Sequence, residues 1–350
     1  MSDTDSLLCA PAGWRASRIR FVTDAARAVV ALRAPELAPR TFVVLDAGAA
    51  RAHPALREAA GPAAIELAGG ERGKDFATLE LLLRELVRRG VTRDARVVAI
   101  GGGAHCDLVG LAASLCLRGV ELVLVPSTLL AMVDASVGGK TAIDLPEGKN
   151  LVGSFWPASE VLVDVGLAAT PSEPEFRAGL AELAKVAIGI DAALFAACER
   201  DAAALLARDA APLAAAVRAA VAAKLRIVTA DPLERGERRL LNLGHTLGHA
   251  LEARSGYAMP HGLAVAQGLH HVLGLAVELA LLSSADGARC AALLDALGLP
   301  AGPLPPPAEL LDFVARDKKL DAAGLTVVLP TAPGSSRLVK LSPRAFLRMA

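Results

Sequence analysis

Apolar positions follow two rhythms along the chain. In the first half, short aliphatic runs are separated by glycine turns and amphipathic stretches. Thr41–Asp46 reads Thr-Phe-Val-Val-Leu-Asp, a continuous apolar run closed by an acid. That is the pattern of a parallel strand buried on both faces. Ala63–Leu67, Arg96–Ile100 and Glu121–Pro126 read the same way. Between them, Gly69–Lys74 is a turn, and Phe76–Arg89 carries apolar residues at helical spacing. Gly101, Gly102 and Gly103 follow Ile100, with Asp107 in the helix after them. Strand, glycine turn, helix, strand is the parallel α/β unit, whose ligands gather at the C-terminal strand ends.

From about Pro174 the rhythm changes to alanine- and leucine-rich helical patterns. Glu175–Ile188 predicts one helix, Asp191–Thr229 two more, and His261–Leu282 a long one. Near the end, Leu325–Leu329 and Arg337–Leu341 predict a small strand pair attached to the helical part. Two domains are expected, 1–173 and 174–350, in line with the usual size prior. The fold class is α/β in the first and helical in the second.

Composition narrows the picture. Formal charge is zero, with 37 basic and 37 acidic residues, so nothing favours nucleic acid or an anionic membrane. No apolar run reaches the ~20 residues of a spanning helix, and the acidic start is not a signal peptide. Cys9, Cys106, Cys116, Cys198 and Cys290 are scattered, without a Cys-x-x-Cys motif. They read as buried thiols in a reducing cytoplasm.

The candidate chemistry falls in two places. Gly101–Gly103 let a phosphate approach backbone N–H groups at a helix start, although glycines after a strand often only make the turn. Ser127 and Thr128 follow the next strand, then Asp134, Gly138-Gly-Lys140-Thr and Gly148-Lys149-Asn150. Lysines among glycines beside an acid suit a phosphorylated ligand better than a solvated loop. The Walker spacing is not completed at Lys140. In the helical half, four of the seven histidines lie between 240 and 270. His245 and His249 are four apart and face one way on a helix, and a Gly-Tyr-Ala-Met-Pro turn brings His261 back towards them. Three gathered imidazoles suit a zinc-type cation. Thr246 replaces the glutamate of a His-Glu-x-x-His protease helix. Glu182 and Lys185, three apart, have the bland reading of a surface ion pair. With Lys224, Arg238 and Lys318 added, pattern alone reaches a metal- and dinucleotide-dependent enzyme acting on a small anionic polyol.

At these residues the chain resembles the 3-dehydroquinate synthases of the sugar phosphate cyclase family. The likeness runs from about Asp46 to Leu329. It is dense at Gly101-Gly-Gly-x-x-x-Asp107, Pro126–Asp144, Gly148-Lys-Asn150, Gly179–Lys185 and Leu241–Glu252. It implies a Rossmann-like N-terminal domain and an α-helical C-terminal domain, with the active site in the cleft. It implies NAD and a divalent metal, zinc or cobalt, held by Glu182, His245 and His261. His249 then becomes a substrate or proton-relay residue rather than a ligand. Asp46, Glu71 and Lys74 match the adenosine side of the NAD site. Gly102, Gly103 and Asp107 match its pyrophosphate side, with Ser127, Thr128, Leu130, Asp134, Lys140, Lys149 and Thr170 also assigned to the cofactor. Asp134, Lys140, Lys149, Asn150, Lys185, Lys224, Arg238, Asn242 and His249 match the substrate pocket. Lys318 closes it, with Lys319 the alternative. Arg118 matches an arginine that reaches a neighbouring subunit's phosphate site, which implies a homodimer.

The implied reaction is the second step of the shikimate pathway, on 3-deoxy-D-arabino-heptulosonate 7-phosphate. A transient oxidation by NAD permits phosphate elimination. Re-reduction and an internal aldol closure then give 3-dehydroquinate. The chain departs from the family pattern at Ala104-His105-Cys106, where His105 either crowds the pyrophosphate or faces solvent. It departs also at Val186-Ala187 and Leu263. The rivals are a sister cyclase (amino-dehydroquinate, 2-deoxy-scyllo-inosose or valiolone type), a metal-dependent polyol dehydrogenase, and a non-catalytic NAD-binding paralogue. The presence of Lys224, Arg238 and Asn242 favours a substrate that carries a carboxylate.

Overall fold

The computed structural model describes residues 5–34, 41–316, 319–321 and 323–349. The chain divides into two compact units. One covers the chain up to Pro171 and takes in Val228–Leu233; the other is Ser172–Ile227 with Glu234 onward.

The first unit begins with a hairpin, β1 (Ser6–Cys9) and β2 (Ser17–Phe21), followed by helix α1 (Ala25–Leu32). Then come β3 (Thr41–Asp46), α2 (Ala47–Ala52), α3 (Pro54–Ala60), β4 (Ile65–Leu67), α4 (Phe76–Arg88), β5 (Arg96–Gly101), α5 (Gly103–Leu115) and β6 (Glu121–Pro126). A second hairpin, β7 (Lys140–Leu145) and β8 (Gly148–Phe155), precedes β9 (Glu160–Val163). Among the described residues seven strands form one sheet in the order β1-β2-β9-β6-β5-β3-β4, parallel except for β1. Val97, Val98, Ala99 and Ile100 of β5 are wholly buried, as a central strand covered on both faces requires. Each such large aliphatic contributes roughly 1.5–3 kcal/mol of burial. After β4 at one edge the chain returns to the other side of β3 to lay down β5. That reversal puts a switch point between β3 and β5, the position where open α/β sheets bind ligands.

The second unit holds α6 (Glu173–Ile190), α7 (Ala192–Leu206), most of α8 (Ala210–Ala230), α9 (His245–Arg254), α10 (His261–Glu278), α11 (Ser284–Ala296) and α12 (Pro307–Ala315). A small antiparallel sheet, β10 (Leu320–Asp321), β11 (Gly324–Ala332) and β12 (Ser335–Leu341), and a short α13 (Pro343–Phe346) complete it. α6 starts with a capping box, Ser172 and Glu175 bonding reciprocally. The helices pack closely because glycines sit where they touch. A Cβ on Gly262 would lie 2.2 Å from the Ala178 carbonyl oxygen of α6, and one on Gly268 would lie 1.9 Å from that of Gly244. Gly244 itself has φ +77°, a left-handed turn into α9 that glycine adopts without strain.

The two lysine-bearing stretches at 140 and 149 are therefore facing strands of a hairpin rather than a loop, and the N-terminal hairpin has no counterpart in the pattern reading. Among the described residues no helix is long and apolar enough to cross a membrane. All five cysteines are free and buried.

Candidate active site

In the first unit the switch point gathers most of the residues assigned to the cofactor. Asp46 ends β3, and its carboxylate accepts from Ala49 N–H at 2.9 Å, capping α2. Gly101 ends β5 so close to it that an added Cβ would lie 2.8 Å from the Asp46 Cβ. Gly102 caps α5, whose first turn has neither an acidic residue nor a side-chain cap. Its N–H groups are thus available to a phosphate. Gly102 faces the Thr128 side chain and Gly103 faces Leu130, at 3.5 and 3.1 Å from the positions their Cβ atoms would take. Ser127 is tied to β5 by its N–H to the Gly101 carbonyl at 2.9 Å. Asp134 lies on a single π-helical turn, Ala131–Ala135.

Asp107 lies on α5 and takes a 2.6 Å ion pair from Lys74. Lys74 also donates to the Asn150 side-chain oxygen at 2.5 Å, and Lys149 pairs with Glu71 at 3.4 Å. Burial opposes the charge on Lys74, but Asp107 and Glu71 outweigh it and raise its pKa. Lys140 opens β7 and is exposed. Thr170 is exposed, and its hydrogen bonds go to His53 and the Leu167 carbonyl rather than to any other cofactor-assigned residue. Arg118 is exposed in a run of left-handed backbone: Leu117 at φ +51°, Arg118 at +66° and Gly119 at +119°.

His105 takes neither of the expected positions. It is buried, with Nε2 at 3.1 Å from the Val44 carbonyl oxygen of β3. Burial lowers its pKa, so it packs as a neutral ring beneath the glycine turn.

In the second unit, Glu182 on α6, His245 at the head of α9 and His261 at the head of α10 converge. One ligand atom from each lies within 4.8 Å of the others. His261 Nε2 is 3.3 Å and His245 Nε2 3.6 Å from the same Glu182 oxygen. The outer nitrogens are engaged too. His245 Nδ1 is 3.1 Å from the Leu243 carbonyl, and His261 Nδ1 is 2.9 Å from a Glu252 carboxylate oxygen. A carbonyl can only accept, so His245 Nδ1 carries the hydrogen, and the Glu252 carboxylate asks the same of His261. With a cation between them and Glu182, neutral rings would present their Nε2 lone pairs, the tautomer a metal ligand needs.

Burial pushes the His245 pKa down to about 3. Burial also works against protonation of His261, but hydrogen bonds with Glu182 and Glu252 raise its pKa to about 10. One carboxylate and two imidazoles, each oriented from behind, fit a zinc-class ion with open positions left for substrate.

The surface reading of Glu182 and Lys185 does not hold. They form an ion pair with side chains only 1% and 2% exposed. An uncompensated charge there would be costly, so the lysine accompanies the carboxylate inward. Lys224 and Arg238 are buried as well. Asn242 donates to a Glu234 carboxylate oxygen at 2.7 Å and to the Arg239 carbonyl at 3.2 Å. The His249 ring centroid is 5.3 Å from that of His245 and 6.0 Å from that of His261. A second grouping, His249, Glu252 and His261, also brings its ligand atoms within 4.8 Å. Lys319 Nζ donates to Thr246 Oγ1 at 2.8 Å, beside the first histidine. Lys318 lies outside the described residues. Pattern reading missed the roles of Glu252 and Glu234. Glu252 stands three residues after His249 on α9 and so shares its face, which is the signal that reveals it.

Fold and site define a class: a two-unit α/β protein with a switch-point glycine turn in one unit and a carboxylate–bis-imidazole group able to hold a metal ion in the other. The family models described as 3-dehydroquinate synthase N-terminal and C-terminal match residues 64–178 and 179–320. The 3-dehydroquinate synthase of Geobacter metallireducens is 42% identical over 282 residues, 80% of this chain and 78% of that one. That of Xylella fastidiosa is 41% identical over 322 residues, covering 89% and 80%. The solved 2-epi-5-epi-valiolone synthase of Streptomyces hygroscopicus, with NAD+ and Zn2+ bound, superposes with TM-score 0.83 at 28% identity, over 94% of both chains. The chain belongs to the 3-dehydroquinate synthase family.

Proposed function

We propose that this enzyme converts 3-deoxy-D-arabino-heptulosonate 7-phosphate to 3-dehydroquinate and phosphate. The observation that carries the reading is the Glu182–His245–His261 triad with both tautomers set from behind. It occurs in a chain 41–42% identical to 3-dehydroquinate synthases but 28% identical to the valiolone cyclase. In the roles proposed here, Glu182, His245 and His261 hold zinc or cobalt. Asp46, Glu71, Lys74, Gly102, Gly103, Asp107, Ser127, Thr128, Leu130 and Thr170 hold NAD, with Asp134, Lys140 and Lys149 also assigned to it. When bound, NAD would supply reversible hydride acceptance at a carbinol carbon, and the divalent metal would make the hydroxyl more acidic.

The remaining work belongs to the side chains. Lys185, buried beside Glu182, fixes the substrate's negative charge next to the triad. Lys224 and Arg238, also buried, grip carboxylate and phosphate where water screens them least. Glu234 turns the Asn242 amide so that its other hydrogen-bonding positions point in a set direction. His249, beside both ligand histidines, is placed to move a proton. We assign Asp134, Lys140, Lys149 and Asn150 to the sugar phosphate as well, and Lys318 or Lys319 to the same substrate. Arg118 serves the phosphate site of a second subunit in a cytoplasmic homodimer.

The test is to incubate purified protein with NAD, zinc and the heptulosonate phosphate, following phosphate release, product mass and NADH. Phosphate plus 3-dehydroquinate without NADH accumulation, lost in Glu182→Ala, is the expected result. Cyclisation only of glucose 6-phosphate, sedoheptulose 7-phosphate or the amino analogue moves the enzyme to a sister activity. NADH accumulating on simple polyols makes it a dehydrogenase.

A further inference from the structure

Trp156 follows β8 directly, and its contacts reach two turns that each carry a cation assigned to the sugar phosphate. Its backbone N–H donates at 2.6 Å to the carbonyl of Gly139, the residue before Lys140. Pro157 backs the same turn: a Cβ on Gly139, whose φ is +70°, would lie 2.8 Å from the Pro157 Cα. The indole Nε1–H donates to the Val120 carbonyl at 3.1 Å. The outer edge of the ring lies on Gly119, where an added Cβ would be 2.2 Å from Cη2 and 2.7 Å from Cζ2. Leu117, Arg118 and Gly119 all have positive φ, a run that residues other than glycine avoid. Such a run persists only where its surroundings hold it. Gly119 N–H bonds to the Cys116 carbonyl at 2.8 Å, and the indole supplies the packing and a donor on the other side. From the β1–β2 turn, the Arg15 guanidinium stacks over the ring at 4.2 Å from its centroid, a cation–π contact that keeps the indole in place.

We propose that Trp156 is a positioning residue that holds Arg118 and Lys140 in register with one another. One side chain thereby fixes a cation of this chain's own site together with the cation that the chain lends to a second subunit. The consequence for turnover rests on the reading that both cations meet the sugar phosphate; the contact with the Leu117–Gly119 turn does not. The role calls for an indole rather than for any aromatic ring. Phenylalanine lacks both the Nε1–H that meets Val120 and the second ring whose edge covers Gly119.

The contact is tested by a double-mutant cycle read by thermal unfolding of the full chain, with Gly119→Ala made in the parent and in Trp156→Phe. The backbone strain of an alanine at φ +119° is common to both arms and cancels. The added methyl meets the outer indole ring only in the parent, so Gly119→Ala should lower the melting temperature clearly less in Trp156→Phe. Equal losses in the two backgrounds overturn the contact and the proposal with it. Sugar phosphate kinetics then read the positioning. Trp156→Phe should raise KM for the sugar phosphate at least fivefold, with kcat falling by a smaller factor. Arg118→Ala should cost a smaller factor in kcat/KM on Trp156→Phe than on the parent. An unchanged KM, or the same Arg118→Ala factor in both backgrounds, overturns the positioning role. Should Gly119→Ala fold in neither background, the Arg118 cycle decides alone. If the parent enzyme does not turn over the heptulosonate phosphate, the functional reading fails while the melting cycle still decides the contact.

Discussion

Replacing Gly262 by alanine should detach the metal site from its scaffold. Gly262 is the second residue of α10, next to His261, and faces the backbone of α6. An added Cβ would lie 2.2, 2.4 and 2.6 Å from the oxygen, Cα and carbonyl carbon of Ala178. Ordinary contact needs roughly 3.5 Å, so the helices must part by about 1 Å, and backbone atoms cannot swing aside as a side-chain tip would. Overpacking of this kind destabilises by about 1–3 kcal/mol. The ligand geometry suffers more. His261 leads α10 and Glu182 lies one helical turn beyond Ala178 on α6, so the new spacing opens the 3.3 Å separation of Nε2 and carboxylate. Metal–ligand distances tolerate only about 0.2 Å. Zinc affinity, measured by competition with a chromogenic chelator, should therefore fall at least ~100-fold, about 2.7 kcal/mol. Gly248→Ala is the graded comparison: its nearest backbone atoms, on Val265, lie at 3.2 Å, and a few tenths of an ångström suffice. That variant should lose less than ~10-fold, or about 1.4 kcal/mol. Zinc binding within threefold of the parent in Gly262→Ala, or a larger loss in Gly248→Ala, would refute the reasoning.

Two further outcomes follow from buried hydrogen bonds. Glu252→Ala removes the acceptor of His261 Nδ1 and should weaken zinc binding by roughly 10–100-fold, with Glu252→Gln intermediate because its amide oxygen still accepts; equal chelator competition in all three proteins would sink the orienting role. His105, held neutral by burial below its ordinary 6.5, contributes stability that is fully present above that pH and is lost as pH falls below it. His105→Gln keeps a donor for the Val44 carbonyl but cannot titrate, so its melting temperature should drop less than the parent's between pH 7.5 and 5.5. Parallel profiles for the two proteins would rule the histidine out as a cause.

The elements legible in the sequence are those whose burial imposes one rhythm. β5 and β6 are continuous aliphatic runs because helices cover both faces of the sheet, and no surface demand interrupts them. β7 and β8 were obscured by their own chemistry: glycines, lysines and Asn150 sit where a strand pattern would place branched apolar residues. Turn residues Pro146 and Glu147 between Thr-Ala-Ile-Asp-Leu and Gly-Lys-Asn-Leu-Val-Gly-Ser-Phe were the available hairpin signal. The β1–β2 hairpin carried a clearer trace, since Arg18 and Arg20 alternate with buried or half-buried Ile19 and Phe21. At the metal site, helical spacing groups His245, His249 and Glu252 on α9. No local pattern shows that Glu182, some sixty residues earlier, meets them instead of pairing with Lys185 at the surface. The resemblance supplied the ligand set, and helix packing supplies its physical basis.

That packing explains how a chain with only 3% aromatic residues and 31 glycines can hold a rigid site. Bulky side chains fill gaps between helices but leave their axes some freedom, because rotamers can adjust. Here Gly244, Gly248, Gly262 and Gly268 bring backbone against backbone, and a backbone has no rotamers to spend. His245 follows Gly244 directly and His261 precedes Gly262 directly, so each ligand is one bond vector away from a contact that cannot relax. The tautomer-setting partners are close in sequence to the rings they hold: Leu243 is two residues from His245, and Glu252 is nine from His261. Position and protonation of the two imidazoles are therefore fixed within α9, α10 and the turns leading into them. Only Glu182 is contributed from α6, and it is joined to them by the Gly262–Ala178 contact. A site built in this way fails at its glycines before it fails at its core leucines.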